Sequence, residues 1–172
     1  MAVRIARRRQ TWTWSVPAII VVALLTAFFN PAGQAITQGD FDVVERVVDG
    51  DTLLLQSGER VRLIGVDTPE TKHPSKPVQY FGKEASAFTR RMVEGKRVRL
   101  EFDQANAAQG HKDRYGRTLA YVFLEDGTLL NAEIIKQGYG HAYTQFPFSR
   151  MEEFRRLERE AREQGRGLWR QN

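Results

Sequence analysis

Between Phe41 and Val66 the chain reads as three short apolar pieces, FDVVERVV, DTLLLQ and RVRLIGV, broken at Asp49-Gly50 and Ser57-Gly58. Both breaks are turn dipeptides, and the pieces between them alternate or run apolar over strand lengths. The pattern predicts a three-stranded meander. Residues of this kind must bury one face, and at 41% apolar content the 172-residue chain has enough to close a core and leave something over.

The period changes after Val78. Phe81, Ala85, Phe88 and Met92 recur at helical spacing, and the stripe stops at Gly95. RVRLEFD then alternates strictly, with Val98, Leu100 and Phe102 on one face, and TLAYVFLE supplies a further strand beyond the polar loop of residues 104–117. GTLLNAEIIKQG predicts a second helix ending at Gly138. A third is expected from Ser149, with Glu152 three residues on as its capping-box partner. Met151, Phe154, Leu157 and Ala161 form its apolar side, and Glu152 with Arg156 and Glu158 with Arg162 make its other side a solvated, ion-paired face to which no nucleic-acid role is assigned. Trp169, beside Leu168 at the end of this helix, is expected to be a packing anchor. Five strands and three helices predict an α+β fold, a small closed barrel of the oligonucleotide-binding type (OB-fold), in residues 41–172. ITQGD, residues 36–40, reads as a linker, and the sequence has no internal repeat.

The formal charge of +5 looks like a signal for an anionic partner until it is divided along the chain. Arg4, Arg7, Arg8 and Arg9 lie in an acid-free stretch of residues 1–35, leaving 22 basic against 21 acidic groups beyond it. An anionic ligand must therefore be argued from particular arginines. The arginine-rich head precedes the apolar run Trp12 to Phe29 and then NPAGQA, with small residues at Gly33 and Ala35. That order is expected of a signal peptide or membrane anchor over residues 1–35, since the run approaches the roughly 20 residues of a bilayer span. Either form predicts an exported protein, secreted or tethered to the outer face of the cytoplasmic membrane. With no cysteine there is no disulfide to report on redox compartment.

Chemistry concentrates at three short motifs. Arg62 precedes Ile64 by two residues and Val66 by four, which puts it among apolar neighbours near a strand end. Asp67 and Glu70 follow, with Pro69 between them fixing one backbone dihedral and pushing Thr68 toward an extended conformation. Asp51, just past the first turn, is expected to approach Asp67 at the barrel mouth. Paired carboxylates repel unless one is protonated or a cation lies between them, and oxygen ligands without cysteine or clustered histidine favour a hard ion such as Ca²⁺ or Mg²⁺. His73, His111 and His141 show no zinc-ligand spacing and read as surface or loop residues. Taken singly, VVDGDT is a hairpin turn, VDTPE a turn feeding a helix and DRYGR a solvated loop. Together they supply an acidic pair and two arginines, Arg62 and Arg117, a set suited to a phosphate ester.

VDGDT at 48–52, RLIGVDTPETKHP at 62–74 and DRYGR at 113–117, in this order and separation, resemble the thermonuclease family, also called micrococcal or staphylococcal nuclease-like. The similarity runs from about Val44 to Trp169. The resemblance implies a three-helix OB-fold barrel and a Ca²⁺-dependent phosphodiesterase acting on DNA and RNA, cutting between phosphorus and the 5′ oxygen to leave 3′-phosphate ends. It implies metal ligation by the carboxylates of Asp51 and Asp67 and the carbonyl of Thr68, and phosphate binding by Arg62 and Arg117. Glu70 is implied to position or deprotonate the attacking water, and Tyr115 and Tyr143 to line the nucleotide pocket. A monomer is expected. One departure is visible: where the resemblance implies a second tyrosine two residues after Tyr143, this chain has Gln145. Degenerate members of the family act as non-catalytic modules binding nucleic acid or protein, but such modules lack site residues that are all present here.

Overall fold

The computed structural model describes residues 38–71 and 77–170. They fall in the second of two units of the chain, Gly33–Asn172, which is described by itself. The expected signal or anchor, residues 1–35, and His73 lie outside the described residues. Among the described residues no helix is long and apolar enough to cross a membrane.

Five strands close a barrel in the order β1-β2-β3-β6-β5, with β5 returning to pair with β1. They are β1 (Phe41–Asp49), β2 (Thr52–Leu55), β3 (Arg60–Leu63), β5 (Arg97–Glu101) and β6 (Thr118–Leu124). β1, β2 and β3 form the predicted meander, and the ladder between β3 and β6 is parallel while the others are antiparallel. Two irregularities in the β1–β2 register, at Val44/Arg46 and Val47/Asp49, bend the long first strand so that it can pair on both sides. Inward-facing Val44, Leu53, Leu55, Val61, Val98, Leu100, Ala120 and Val122 are fully buried, which is the period-2 pattern that identified these strands.

Among the described residues three α-helices lie outside the barrel: α1 (Gly82–Val93), α2 (Leu130–Lys136) and α3 (Met151–Glu163). Leu130, Ile134 and Ile135 of α2 and Phe154 of α3 are completely buried in the same core. Asn131 is buried among them without an unmet polar group: its Oδ1 accepts from Val122 N at 3.0 Å, and its Nδ2 donates to Ile64 O at 2.9 Å and Ala120 O at 3.2 Å. It thereby ties α2 to β6 and to the turn just before the acidic motif.

Four local expectations are corrected. RVRLIGV is not one strand, because Gly65 adopts φ +70° and ends the pairing. Beyond it, β4 (Val66–Asp67) pairs instead with β7 (His141–Ala142) in a separate two-stranded sheet. The break also changes the phase: Val66 leaves the strand of Arg62 for the second sheet, so the two residues do not share the expected strand face. The capping box at Ser149 does not form. Helix α3 starts after Arg150 with no side-chain cap, and the Ser149 hydroxyl donates to Asp103 at 2.7 Å. On the solvated face Arg162 pairs with Glu158 at 3.0 Å as expected, but Glu152 takes Arg155 at 2.7 Å rather than Arg156.

Candidate active site

The β1–β2 turn and the β3–β4 break bring the sequence motifs to one end of the barrel. Thr52 is the register partner of Arg62, and Leu63 N donates to Asp51 O at 3.0 Å, so Asp51 stands beside the end of β3. From that strand end the Arg62 side chain, only 14% exposed, turns toward the break. Its Nη1 donates to Leu63 O at 3.0 Å and Val66 O at 2.6 Å. Its Nη2 faces two acids at once, Asp51 Oδ2 at 3.2 Å and Asp67 Oδ1 at 3.5 Å. The expected approach of Asp51 and Asp67 is thus mediated by one guanidinium.

Asp51 is buried, taking the Thr52 hydroxyl at 2.9 Å on Oδ1 and Thr68 N at 3.2 Å on Oδ2. Thr68 is buried as well, and its Oγ1 has no hydrogen-bond partner. It packs so closely on the turn that a Cβ at Gly50 would lie 2.6 Å from this oxygen. Thr89 of α1 closes the turn from the other side by donating to Gly50 O at 2.7 Å.

From sequence Asp49 reads as a turn residue, and the structure gives it a further place. Its Oδ1 accepts from the Thr71 hydroxyl at 2.8 Å and its Oδ2 from Thr71 N at 3.4 Å, across 22 residues. Burial, and then a hydrogen bond shared with the Glu70 carboxyl, raise the Asp49 pKa above the ordinary carboxylate value. Glu70 N is held by Gln79 Oε1 at 2.9 Å, so the segment bearing Glu70 is fixed at both sides. The available signal was an acid two residues before Asp51.

Asp67 is raised too, first by burial and then by the charge of Asp51, with Arg62 and His141 opposing. His141 is not a plain loop residue: it pairs across β4–β7 with Asp67, and its Nδ1 lies 3.4 Å from Glu158 Oε1. His111 stacks on Phe102 at 4.8 Å. Among the described residues no three acidic or histidine side chains converge into a ready-made metal cage. The donor chemistry nonetheless fits a hard cation. Two carboxylates share one guanidinium, two more acids stand beside them, and Ca²⁺ completes about six to eight oxygen ligands with carbonyls and water.

The second arginine comes from the DRYGR loop. Asp113 Oδ1 accepts from Tyr115 N at 2.9 Å and Arg117 N at 3.0 Å, an Asx-type turn that curls the loop, while Oδ2 takes Arg117 Nε at 2.7 Å. Burial alone would raise the Asp113 pKa, but these bonds and the Arg117 charge hold it below the ordinary value. Arg117 Nη1 reaches the Thr52 hydroxyl at 3.4 Å, and through Thr52 it is linked to Asp51. Asp113 was not assigned a role from sequence, although its spacing of two from Tyr115 and four from Arg117 is that of such a turn.

A cleft of about 650 Å³ opens beside these groups, walled by Arg62, Asp67, Arg117, Tyr115, Tyr143 and Phe146 among others. Tyr143 is held by its backbone, N to Gly65 O at 2.9 Å, and its hydroxyl donates to Gln145 Oε1 at 2.8 Å. The structure therefore gathers Arg62, Asp67, Arg117, Tyr115 and Tyr143 on one cavity, with Asp51 and Thr68 behind Arg62 and Glu70 on the adjoining acidic segment.

A closed five-stranded barrel with acids and two arginines at one end defines an α+β protein of the OB-fold type with an arginine-lined cleft. The family described as staphylococcal nuclease homologues matches residues 60–171. The chain is 44% identical over 133 residues to a thermonuclease of Staphylococcus intermedius, covering 73% of this chain and 76% of that one. It is 38% identical over 162 residues to a thermonuclease of Staphylococcus hyicus, covering 90% and 92%. Against the SPbeta prophage-derived endonuclease YokF of Bacillus subtilis the identity is 34% over 134 residues, 75% of this chain and 44% of that protein. This chain belongs to the staphylococcal nuclease, or thermonuclease-like, family.

Proposed function

We propose that the protein is a Ca²⁺-dependent nuclease that hydrolyses phosphodiester bonds of DNA and RNA, breaking the bond to the 5′ oxygen and leaving 3′-phosphate ends. The observation that carries this reading is the position of Arg62 Nη2 between Asp51 and Asp67, on the same cleft as an Arg117 fixed by Asp113. Family membership with two thermonucleases supports it.

Arg62 and Arg117 hold the non-bridging oxygens of the phosphate, since planar guanidiniums match them two bonds at a time. Asp113 fixes the Arg117 fork through Nε, and Arg117 lines the cleft. Glu70 positions the attacking water or takes its proton. The water oxygen bonds to phosphorus as the bond to the 5′ oxygen breaks; the water's proton passes to Glu70 or to solvent, and the departing oxygen, its charge met by Arg117, takes a proton from solvent and leaves as a hydroxyl. Asp51 and Asp67, with the Thr68 carbonyl, are the groups to hold Ca²⁺. When bound, the ion supplies positive charge to the acids and to the phosphoryl oxygens. Geometry and charge carry the reaction, with no covalent intermediate on the protein.

The order of charged, apolar and small-residue segments over residues 1–35 supports export, with the protein secreted or held at the outer face of the cytoplasmic membrane. The barrel is read as acting as a monomer. Digestion of single-stranded DNA, duplex DNA and RNA by the purified protein, with Ca²⁺, with Mg²⁺ and with chelator, tests the reading. Ca²⁺-dependent cleavage to 3′-phosphates is expected. A folded protein that binds these strands and cuts none would make it a binding module.

A further inference from the structure

Four aromatic rings line the cleft beside the arginines; Phe148 is buried against Phe154, and the other three are not equivalent. Tyr115 is 66% exposed, but its ring already lies beneath two guanidiniums, Arg114 at 4.8 Å and Arg117 at 5.3 Å. It serves as a seat for cations, including the arginine that faces the phosphate. Tyr143 is less exposed and is tethered through its hydroxyl to Gln145. Phe146 is different: it is 65% exposed, and among the described residues no cation lies over its ring. Its one aromatic neighbour among the described residues is Tyr143, with centroids 6.1 Å apart and planes tilted by 51°, so the two rings do not cover each other face to face.

An apolar ring left open to water in the wall of a charged cleft suits a flat, apolar-faced ligand. The ligand must also reach the arginines in the same cavity, because Arg62, Arg117 and Phe146 all line it. A nucleobase attached through its sugar to the bound phosphate meets both conditions, since every base has a π-face and stacks on aromatic side chains. We infer that Phe146 is the base-stacking platform of the cleft, taking an unpaired nucleobase that flanks the phosphate held by Arg62 and Arg117. This inference rests on the nuclease reading above and assigns Phe146 to binding rather than to bond breaking.

The test uses the full protein and a short oligothymidylate in which every linkage but one is an uncharged methylphosphonate, so that a single phosphodiester can be cut. Two further copies each lack the base on one side of that linkage. Phe146→Ala is expected to raise KM on the intact strand about tenfold with kcat little changed, and Phe146→Trp to restore it. On one of the two abasic copies Phe146→Ala and the unmodified protein are expected to have the same KM. An unchanged KM for a folded Phe146→Ala on the intact strand overturns the inference, as does a deficit that persists on both abasic copies. Dissociation constants for the same strands separate this outcome from failure of the nuclease reading. If the unmodified protein binds without cutting, binding about tenfold weaker by Phe146→Ala still supports the platform, and equal binding overturns it.

Discussion

Arg117 Nε donates to Asp113 Oδ2 at 2.7 Å, and the same aspartate accepts the Arg117 backbone N–H, so side chain and main chain of this arginine are fixed by one carboxylate. The interaction sits in a loop at the barrel end and contributes no apolar surface to the core. Arg117→Ala is therefore expected to cut turnover by about 100- to 1,000-fold, the usual loss for a donor aimed at developing charge, while shifting Tm by no more than about 3 °C. Turnover at the level of the unmodified protein in a folded variant would remove Arg117 from the site.

Asp103 organises the region where β5 hands over to the polar loop. Its buried carboxylate accepts from Tyr121 Oη at 2.6 Å, Ser149 N and Oγ at 2.7 Å each, and Ala105 N at 2.9 Å. Burial alone would raise its pKa, but these bonds outweigh it and hold the group at about 2 against an ordinary 3.8. Because the folded value is the lower one, the stabilisation is present in full above 3.8 and disappears as pH falls through about 2. Asp103→Asn is expected to be less stable at neutral pH by on the order of 2 kcal/mol. Urea unfolding from neutral pH to about 2 should show the difference shrinking in acid, and a constant difference would deny Asp103 this role.

Strand periodicity made the five barrel strands legible, because alternate residues such as Val98 and Leu100 had to be buried together. The three motifs were legible as residue types, and Arg62, Asp67 and Arg117 do share one cleft. Less legible were contacts between residues distant in sequence. The pairing of Asp67 with His141, and the Asp49 carboxylate on Thr71, depend on how the closed barrel folds its ends together. Ser149 shows why a local pattern can mislead: its capping-box spacing is intact, yet a buried carboxylate offers its hydroxyl a charged acceptor that outcompetes the helix end.

Gly65 is where the strand reading broke down, and its substitution tests why. At φ +70° a side chain is strained, and a Cβ would lie 2.6 Å from Phe148 Cζ and 2.8 Å from Phe154 Cδ2. Gly65→Ala therefore combines a backbone cost of about 1–2 kcal/mol with overpacking of about 1–3 kcal/mol. Denaturant unfolding is expected to show a loss of about 2–4 kcal/mol. A loss below about 0.5 kcal/mol would mean that the turn and both phenylalanines shift freely.

Trp169 lies in the short 3-10 turn Gly167–Trp169. The Arg162 guanidinium sits 4.0 Å from its ring centroid, and His141 meets it edge-on at 5.0 Å. Through His141 the ring supports the strand that pairs with Asp67, and backbone bonds lock the turn in place, Leu168 N to Gly138 O at 2.8 Å. Trp169→Ala removes the surface on which Arg162 and His141 rest. A stability loss on the order of 2 kcal/mol is expected, less than for a fully buried tryptophan because the residue is partly exposed. Trp169→Phe retains a ring for both partners and is expected to recover part of that loss. Equal Tm values for the alanine variant and the unmodified protein would show that the α3 end and the β4–β7 pair hold together without this anchor.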